Sequence, residues 1–357
     1  MEGFKGVVML YHSPIDKICA KVVPERHLGH LLPVGEYYGN PVCSVQQMLE
    51  WEEQGLFPID IGDEKYNRGS AGSATEMVMN ILKLVPSVAE KKLIEILRRN
   101  NKTGYLKSFH FSVSWLIREL YELDGYDQTE IIERAGRVVH AFLAVEDMAE
   151  AATEVDSATD TEPLRVMRDI TKNCNDAPFT VGRFLRDLER LGHPVDEIRK
   201  ECEWWFGGFS DVKTVLEKAQ DEYAAMPKTR FPAGNFRATF VTTNNYFVSK
   251  VAARDPETDI LLVRRSTGHT AFLPRELDIS DLAREIKALE PDDRWYHHQG
   301  PGQLINGGKV YGGAEYEAAK PTALSNEKLT ELLQRFPPQK RMVARQPSQS
   351  SRRFYRR

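Results

Sequence analysis

Apolar and polar positions change their period along this chain, and the changes divide it. Gly6 to Tyr11 is an unbroken apolar run closed by the turn His12-Ser13-Pro14, the pattern of a buried strand ending in a loop. Phe57-Pro58-Ile59-Asp60-Ile61-Gly62 is a second such run, and between the two Val45 to Gln54 has helical character. After Gly72, a long helix is predicted by Ser73 as its cap, Glu76 three residues on, and apolar Met77, Val78, Ile81, Leu82 and Val85. Strand, helix, strand, helix in that order predicts parallel pairing through crossovers, the α/β class.

From Glu90 to about Met226 the period is helical almost throughout. Leu93, Ile94 and Leu97, then Val113, Leu116, Ile117 and Leu120, then Ile131, Ile132, Ala135, Val139, Phe142 and Leu143 form stripes that face a core. Further helices are expected at Phe179 to Leu191, Val195 to Phe206 and Val212 to Tyr223. After Pro227 the segments Phe236 to Thr243, Tyr246 to Ala253 and Asp259 to Arg265 alternate like strands, with Asp255-Pro256-Glu257-Thr258 as a hairpin turn. A helix over Ile279 to Leu289, a strand pair near Trp295 to Tyr296 and Gly302 to Ile305, and a helix over Asn326 to Leu333 complete the pattern. The expected organisation is an α/β domain with a parallel sheet over 1–125, a helical connector over 126–230, a smaller α+β domain over 231–335, and a flexible tail over 336–357. The two globular parts, divided near residue 230, are expected to enclose a cleft, the usual place for a ligand.

With 357 residues, 41% of them apolar, the chain can bury two cores of ordinary size. No run of eighteen apolar residues exists, and Met1-Glu2-Gly3-Phe4-Lys5 lacks the apolar stretch of a secretion signal, so the expected location is the cytoplasm, with no membrane partner. Cys19, Cys43, Cys174 and Cys202 are scattered without a C-x-x-C pair, which speaks against a zinc knuckle or a disulfide framework and reads as ordinary buried thiols.

The formal charge is −4, but Lys340 to Arg357 carries seven bases and no acid, leaving −11 for the body. A body that acidic is a poor general binder of nucleic acid, so such affinity has to come from a local groove or from the basic tail, which is otherwise a solvated end. The stretch Glu146 to Glu162 has seven acids and no base and reads as a solvated helix end and loop. Trp204-Trp205-Phe206 reads as core between the domains rather than as a platform for stacked bases.

Three segments carry a resemblance. His12-Ser-Pro-Ile-Asp16 follows the first strand; Ile59-Asp60-Ile-Gly62 is followed by Tyr66-Asn67-Arg68-Gly69; and Ser70-Ala-Gly-Ser73-Ala74-Thr75 opens a helix. Together they are similar to the DHH-type phosphoesterases, in the branch of the melanocyte-proliferating-gene type, which comprises metal-dependent hydrolases and exonuclease-like proteins. The similarity extends through Leu97-Arg98-Arg99-Asn100-Asn101-Lys102-Thr103-Gly104, Arg294-Trp295-Tyr296-His297-His298 and Leu304-Ile305-Asn306-Gly307-Gly308.

The resemblance implies a site in which Asp and His at strand ends hold divalent ions, Mn or Mg, that activate water for attack on phosphorus. Carried onto this chain, it places His12, Asp16 and Asp60 as metal ligands and catalytic residues. It adds His298, Asn306, Gly307 and Gly308 on the substrate side, and this chain's own Arg68, Arg98, Arg99 and Lys102 are candidates to bind a phosphate directly. The signature itself departs from the family. Where Asp-His-His is expected, this chain has Asn67-Arg68-Gly69, which replaces a carboxylate by an amide and an imidazole by a guanidinium that cannot coordinate a metal. Asn101 likewise stands where an aspartate is common.

Two functions therefore stay open at the level of sequence. One is a divergent phosphoesterase acting on a phosphodiester of a nucleotide or nucleic acid, with one metal held by His12, Asp16 and Asp60. The other is an inactive relative without cofactor that binds nucleotide or nucleic acid, or serves as an assembly subunit. Plainer roles stand beside both. His12 and Asp16 are also a turn residue and a helix-capping acid by spacing, and Asn306-Gly307-Gly308 is also a hairpin turn. His297 and His298, adjacent on a strand, point to opposite faces, so at most one of them faces a cleft.

Overall fold

A computed structural model describes residues 4–38, 43–61, 71–109, 111–151, 177–291, 295–298, 302–306 and 320–340. The chain forms two compact units that divide between Val215 and Leu216.

The first unit begins with β1 (Gly6–Leu10), α1 (Ile15–Leu28), β2 (Val34–Tyr38), α2 (Val45–Gln54) and β3 (Leu56–Pro58). The three strands form a parallel sheet in the order β2-β1-β3. β1, Gly-Val-Val-Met-Leu, is buried at all five positions, as a central parallel strand covered on both faces must be. Gly6 is needed at its start, because a Cβ there would lie 2.7 Å from the Pro33 carbonyl oxygen, the same oxygen that accepts from Val7 N at 3.0 Å. Val8, Leu10, Trp51 and Ile61 make the core on the α2 side.

Helix α1 and strand β2 are both beyond the elements expected from sequence. Pro14 stands at the N-cap of α1 with no side-chain cap, Pro24 lies inside the helix, and eleven of its residues are buried. It packs against α3 (Ala74–Leu82), α5 (Val113–Leu120) and α6 (Gln128–Ala151).

α3 starts where Ser73 predicts, with its hydroxyl accepting from Glu76 N at 3.1 Å. It ends sooner than expected, at Leu82, where Lys83 turns left-handed. Glu76 does not close a capping box; it accepts from Gly72 N instead. The complete box belongs to α4 (Val88–Thr103), between Ser87 and Glu90. The expected helix over Phe179 to Leu191 is α7 (Val181–Arg190). The two expected beyond it are one continuous helix, α8 (Val195–Ala225), which runs through Gly207 and Gly208. Gly208 is the point of close approach to α5: a Cβ there would sit 3.1 Å from a Leu120 methyl. Trp204 and Phe206 pack within the first unit, on Tyr126 and Phe111 respectively.

The second unit holds a six-stranded sheet in the order β4-β5-β6-β7-β10-β9. Its strands are β4 (Thr229–Ala233), β5 (Phe236–Thr242), β6 (Ile260–Arg264), β7 (Thr270–Pro274), β9 (Trp295–His298) and β10 (Gln303–Asn306), with β8 (Leu277–Asp278) pairing β11 (Gln339–Lys340) beside it. Two linked sequence expectations are corrected here. Tyr246 to Ala253 is not a strand but α9 (Tyr246–Ala252), because Asn245 caps it with a side-chain oxygen that accepts from Phe247 N and Val248 N. β5 and β6 are consequently parallel, joined by a helical crossover, and Asp255 to Thr258 is a helix-to-strand turn rather than a hairpin. α10 (Ser280–Leu289) and α11 (Asn326–Arg335) cover a core of Leu262, Phe272, Ile286, Trp295, Leu304 and Leu333.

No helix among the described residues is long and apolar enough to cross a membrane.

Candidate functional site

In the order β2-β1-β3 the chain leaves β1 toward one neighbour and returns to the other side, so the C-terminal ends of β1 and β3 flank the point where the winding reverses. Open parallel sheets bind their ligands at such points. Both strand ends carry a non-glycine residue in the left-handed region, His12 at φ 56° and Asp60 at φ 53°. Such conformations are costly and are held only where surrounding contacts fix them.

Asp60 is fixed by Lys17, in the first turns of α1. Lys17 Nζ donates to the Asp60 carbonyl oxygen at 3.0 Å and lies 3.2 Å from Asp60 Oδ2. The two side chains are 7% and 9% exposed. A buried carboxylate needs a compensating cation or donors, and here an ammonium supplies it.

Asp16 faces a different set of partners. Oδ2 accepts from Ala74 N and from Asn101 Nδ2, each at 2.9 Å, while Oδ1 accepts from Thr75 N at 3.3 Å and Thr75 Oγ1 at 3.2 Å. Thr75 Oγ1 is also 3.1 Å from the Asp16 carbonyl oxygen. Asp16, 3% exposed, thus anchors the N-terminus of α3 to the start of α1. Asn101, whose amide also donates to Gly72 O, completes the arrangement from α4.

His12 turns to a third set. Its backbone N–H donates to Gln128 Oε1 at 3.4 Å, its ring stacks on Tyr121 with centroids 5.1 Å apart, and Nδ1 is 3.5 Å from Glu122 Oε1. Tyr121 donates its hydroxyl to Ser13 O at 3.1 Å, and burial holds its phenol well above the ordinary range.

The three expected ligands therefore lie near one sheet edge in sequence and topology but engage Lys17, the α3 terminus, and the Tyr121–Glu122 segment respectively. Their oxygens receive hydrogen bonds and an ammonium, a donor set that does not fit a divalent ion without rearrangement. Among the described residues, no group of three or more His, Cys, Asp and Glu side chains is placed to hold a metal.

The expected substrate-binding residues divide likewise. Arg98 forms an ion pair with Glu76, with Nε 3.0 Å from Glu76 Oε2, and that bond holds the Glu76 carboxyl below its ordinary range. Arg98 also fills the space in front of Gly72, where a Cβ would meet Arg98 Cγ at 2.5 Å. Arg99 lies 3.7 Å over the Tyr105 ring, and Lys102 is exposed near the end of α4. In the second unit, Asn306 is buried: Oδ1 accepts from Thr322 N at 2.8 Å and Nδ2 donates to Lys320 O at 3.3 Å. His298 pairs with Gln303 across β9 and β10. Asn67, Arg68, Gly307, Gly308 and residues 341–357 lie outside the described residues, as does the His298 side chain.

Lys17, Thr75 and Tyr121 were not singled out by sequence. Thr75 was within reach of inference, since it stands in the Ser-Ala-Thr start of a helix; Lys17 and Tyr121 carry no local signal, because their partners are 43 and 108 residues away.

No family model matches this chain, and no curated protein matches it. The matching solved structures include an uncharacterized protein from Helicobacter pylori G27, 9% identical, with 93% of this chain and 98% of that chain covered. The TM-score is 0.27, a likeness too slight to bear on fold or activity.

Proposed function

We propose that this chain is a DHH-like scaffold that binds a phosphate-bearing ligand, a nucleotide or nucleic acid, in the cytoplasm without hydrolysing it. The observation that carries this reading is the Lys17–Asp60 pair, which puts a fixed ammonium on the strand-end carboxylate that a hydrolytic metal would need. Asp16 adds to it, since four protein donors already occupy its oxygens. In the signature itself Arg68 replaces an imidazole, and a guanidinium can grip a phosphate directly but cannot ligate a metal. Lys102 and the basic stretch beyond Lys340 supply further charge for the same ligand.

The test is fluorescence polarisation with a labelled nucleotide and a short labelled oligonucleotide, run in EDTA and in manganese, with the products separated afterwards. The expected result is binding that EDTA does not weaken, that falls steeply with salt, and that leaves the ligand intact. Manganese-dependent cleavage, lost in Asp60→Ala while the fold is kept, would establish the second reading, a divergent phosphoesterase using His12, Asp16 and Asp60.

A further inference from the structure

Two helical hairpins of the first unit, α5 with α6 and α7 with α8, share one pattern. Phe111-Ser-Val-Ser-Trp-Leu-Ile-Arg-Glu-Leu120 returns as Phe179-Thr-Val-Gly-Arg-Phe-Leu-Arg-Asp-Leu188, and each segment leads through a left-handed glycine, Gly125 or Gly192, into a long helix. Phe111 and Phe179 are both left-handed, at φ 53° and 57°, and Ser112 and Thr180 cap α5 and α7 alike. The contacts between the two copies are reciprocal. Val113 N donates to Phe179 O at 2.9 Å, and Val181 N to Phe111 O at 3.0 Å. Phe111 meets Phe209 of α8 and Phe179 meets Phe142 of α6, with centroids 4.8 and 5.1 Å apart. Trp115 stacks on that Phe209, and its counterpart Arg183 lies over that Phe142.

The correspondence pairs Tyr126 with His193, each directly after its glycine, and here the copies part. Tyr126 lies across α8. Its ring meets Trp204 edge-on with centroids 5.8 Å apart, and its hydroxyl donates to Asp211 at 2.6 Å. A Cβ on Gly208 would lie 3.7 Å from that hydroxyl oxygen and 3.1 Å from a Leu120 methyl. The counterparts of Trp204, Gly208, Asp211 and Leu120 are Arg137, Ala141, Ala144 and Leu188. All four line a cavity of about 290 Å³, together with His193. His193 is shorter than tyrosine, and Ala144 gives it no acceptor where Tyr126 has Asp211, so its Nδ1 turns to Glu197 at 3.0 Å. The cavity thus stands where, in the other copy, a phenol ring is seated.

The basic groups around it are already matched. Arg137 bonds Glu201 at 2.6 Å and pairs with Glu197, Arg26 pairs with Asp147, and His140 Nε2 is 3.2 Å from Glu25 Oε2. No net charge is left to draw an ion, while Ala141, Ala144, Leu188 and Leu191 present apolar surface. Arg137 stands where Trp204 faces Tyr126, and a guanidinium held by two carboxylates is suited to lie on the face of an aromatic ring.

From this correspondence we infer that the cavity binds a small neutral aromatic molecule, a phenol or a ring of similar size, seated as Tyr126 is in the other copy. Its volume is sufficient, since an apolar protein cavity of roughly 150 Å³ already holds benzene.

The test is isothermal titration of the full chain with p-cresol, which reproduces the tyrosine side chain, with its saturated analogue 4-methylcyclohexanol, and with benzoate. p-Cresol is expected to bind saturably with a dissociation constant of about a millimolar or lower. The saturated analogue is expected to bind more weakly by about threefold or more, because it has no π face for Arg137, and benzoate is expected not to saturate. His193→Tyr supplies the ring from within and is expected to abolish p-cresol binding at an unchanged or higher thermal midpoint. Should that variant fold poorly, Ala144→Ile narrows the same space from α6 and is read by the same loss of binding. Arg137→Gln is expected to bring p-cresol and its saturated analogue to equal affinity. Absence of saturable p-cresol binding, binding indifferent to the filling substitutions, or benzoate binding as tightly as p-cresol would each overturn the inference.

Discussion

Lys17 Nζ lies 3.2 Å from Asp60 Oδ2 and 3.0 Å from the Asp60 carbonyl oxygen, with both side chains more than nine-tenths buried. Removing either member deprives the other of a close, buried ionic partner. Asp60→Ala is therefore expected to cost about 3–5 kcal/mol of unfolding free energy, and Lys17→Met a similar amount. The double variant Lys17→Met with Asp60→Asn is expected to cost less than the two single losses together, because both substitutions remove the same contact. Urea denaturation measures all three. An Asp60 whose purpose is to hold a metal predicts the opposite, with little change in stability for Asp60→Ala.

Asp16 is expected to behave as a cap and not as a ligand. Its carboxylate gathers Ala74 N, Thr75 N, Thr75 Oγ1 and Asn101 Nδ2. Asp16→Ala leaves the buried Ala74 and Thr75 N–H groups without their acceptor, with an expected loss of about 3 kcal/mol, whereas Asn101→Ala removes one donor of four and is expected to cost about 1 kcal/mol. Manganese at millimolar concentration is expected to leave the thermal midpoint of the unaltered chain where it was. A rise of several degrees would reveal a native-state metal site and refute this assignment.

A pH signature is expected from Asp187 on α7, 2% exposed, whose carboxyl burial pushes up to about 6 against the partial opposition of Arg183, 3.3 Å away. The folded state thus binds the proton more tightly than the unfolded chain does. The stability this contributes is complete below pH 4 and is lost as pH rises through about 6. Asp187→Asn cannot titrate, so the stability difference between Asp187→Asn and the unaltered chain is expected to shift in favour of the variant by on the order of 3 kcal/mol between pH 4 and pH 7. Parallel urea titrations at several pH values measure it, and a pH-independent difference would show that Asp187 keeps an ordinary carboxyl.

Sequence patterning reached the elements whose period is undisturbed. The apolar run Gly6 to Tyr11 contains β1, the stripes from Glu90 onward fall on α4, α5 and α6, and Ser73 caps α3. It failed where burial or edge position erases the period. α1 is buried on nearly every side and contains a proline, so it has no polar face to alternate with an apolar one. β2 is an edge strand of Val-Gly-Glu-Tyr-Tyr, half-buried or exposed throughout, and offers neither an apolar run nor clean alternation. Tyr246 to Ala252 reads as a strand by composition, and the Asn245 cap decides otherwise. For the candidate site, residue types at strand ends were legible, but their partners were not, because Lys17, Tyr121 and Asn101 meet them only through tertiary packing.

In the second unit, Glu290 and Asn306 are expected to act together as the clamp on residues 320–324. Glu290, 7% exposed, accepts from Trp295 Nε1 at 2.6 Å, Thr322 Oγ1 at 2.7 Å and Ala323 N at 2.7 Å. Asn306 adds its bonds to Thr322 N and Lys320 O. A charged acceptor with three donors, two of them buried, is worth more than a neutral amide with two partners. Glu290→Ala is accordingly expected to cost about 3 kcal/mol and Asn306→Ala about 1–2 kcal/mol. The effect is also local. Amide hydrogen exchange at Ala323 is expected to accelerate most in Glu290→Ala, and at Thr322 in Asn306→Ala, because each substitution removes the acceptor of that very N–H. If Asn306 instead serves a ligand, Asn306→Ala leaves Thr322 exchange and stability unchanged while weakening nucleotide binding, and the two outcomes are read from the same purified variant.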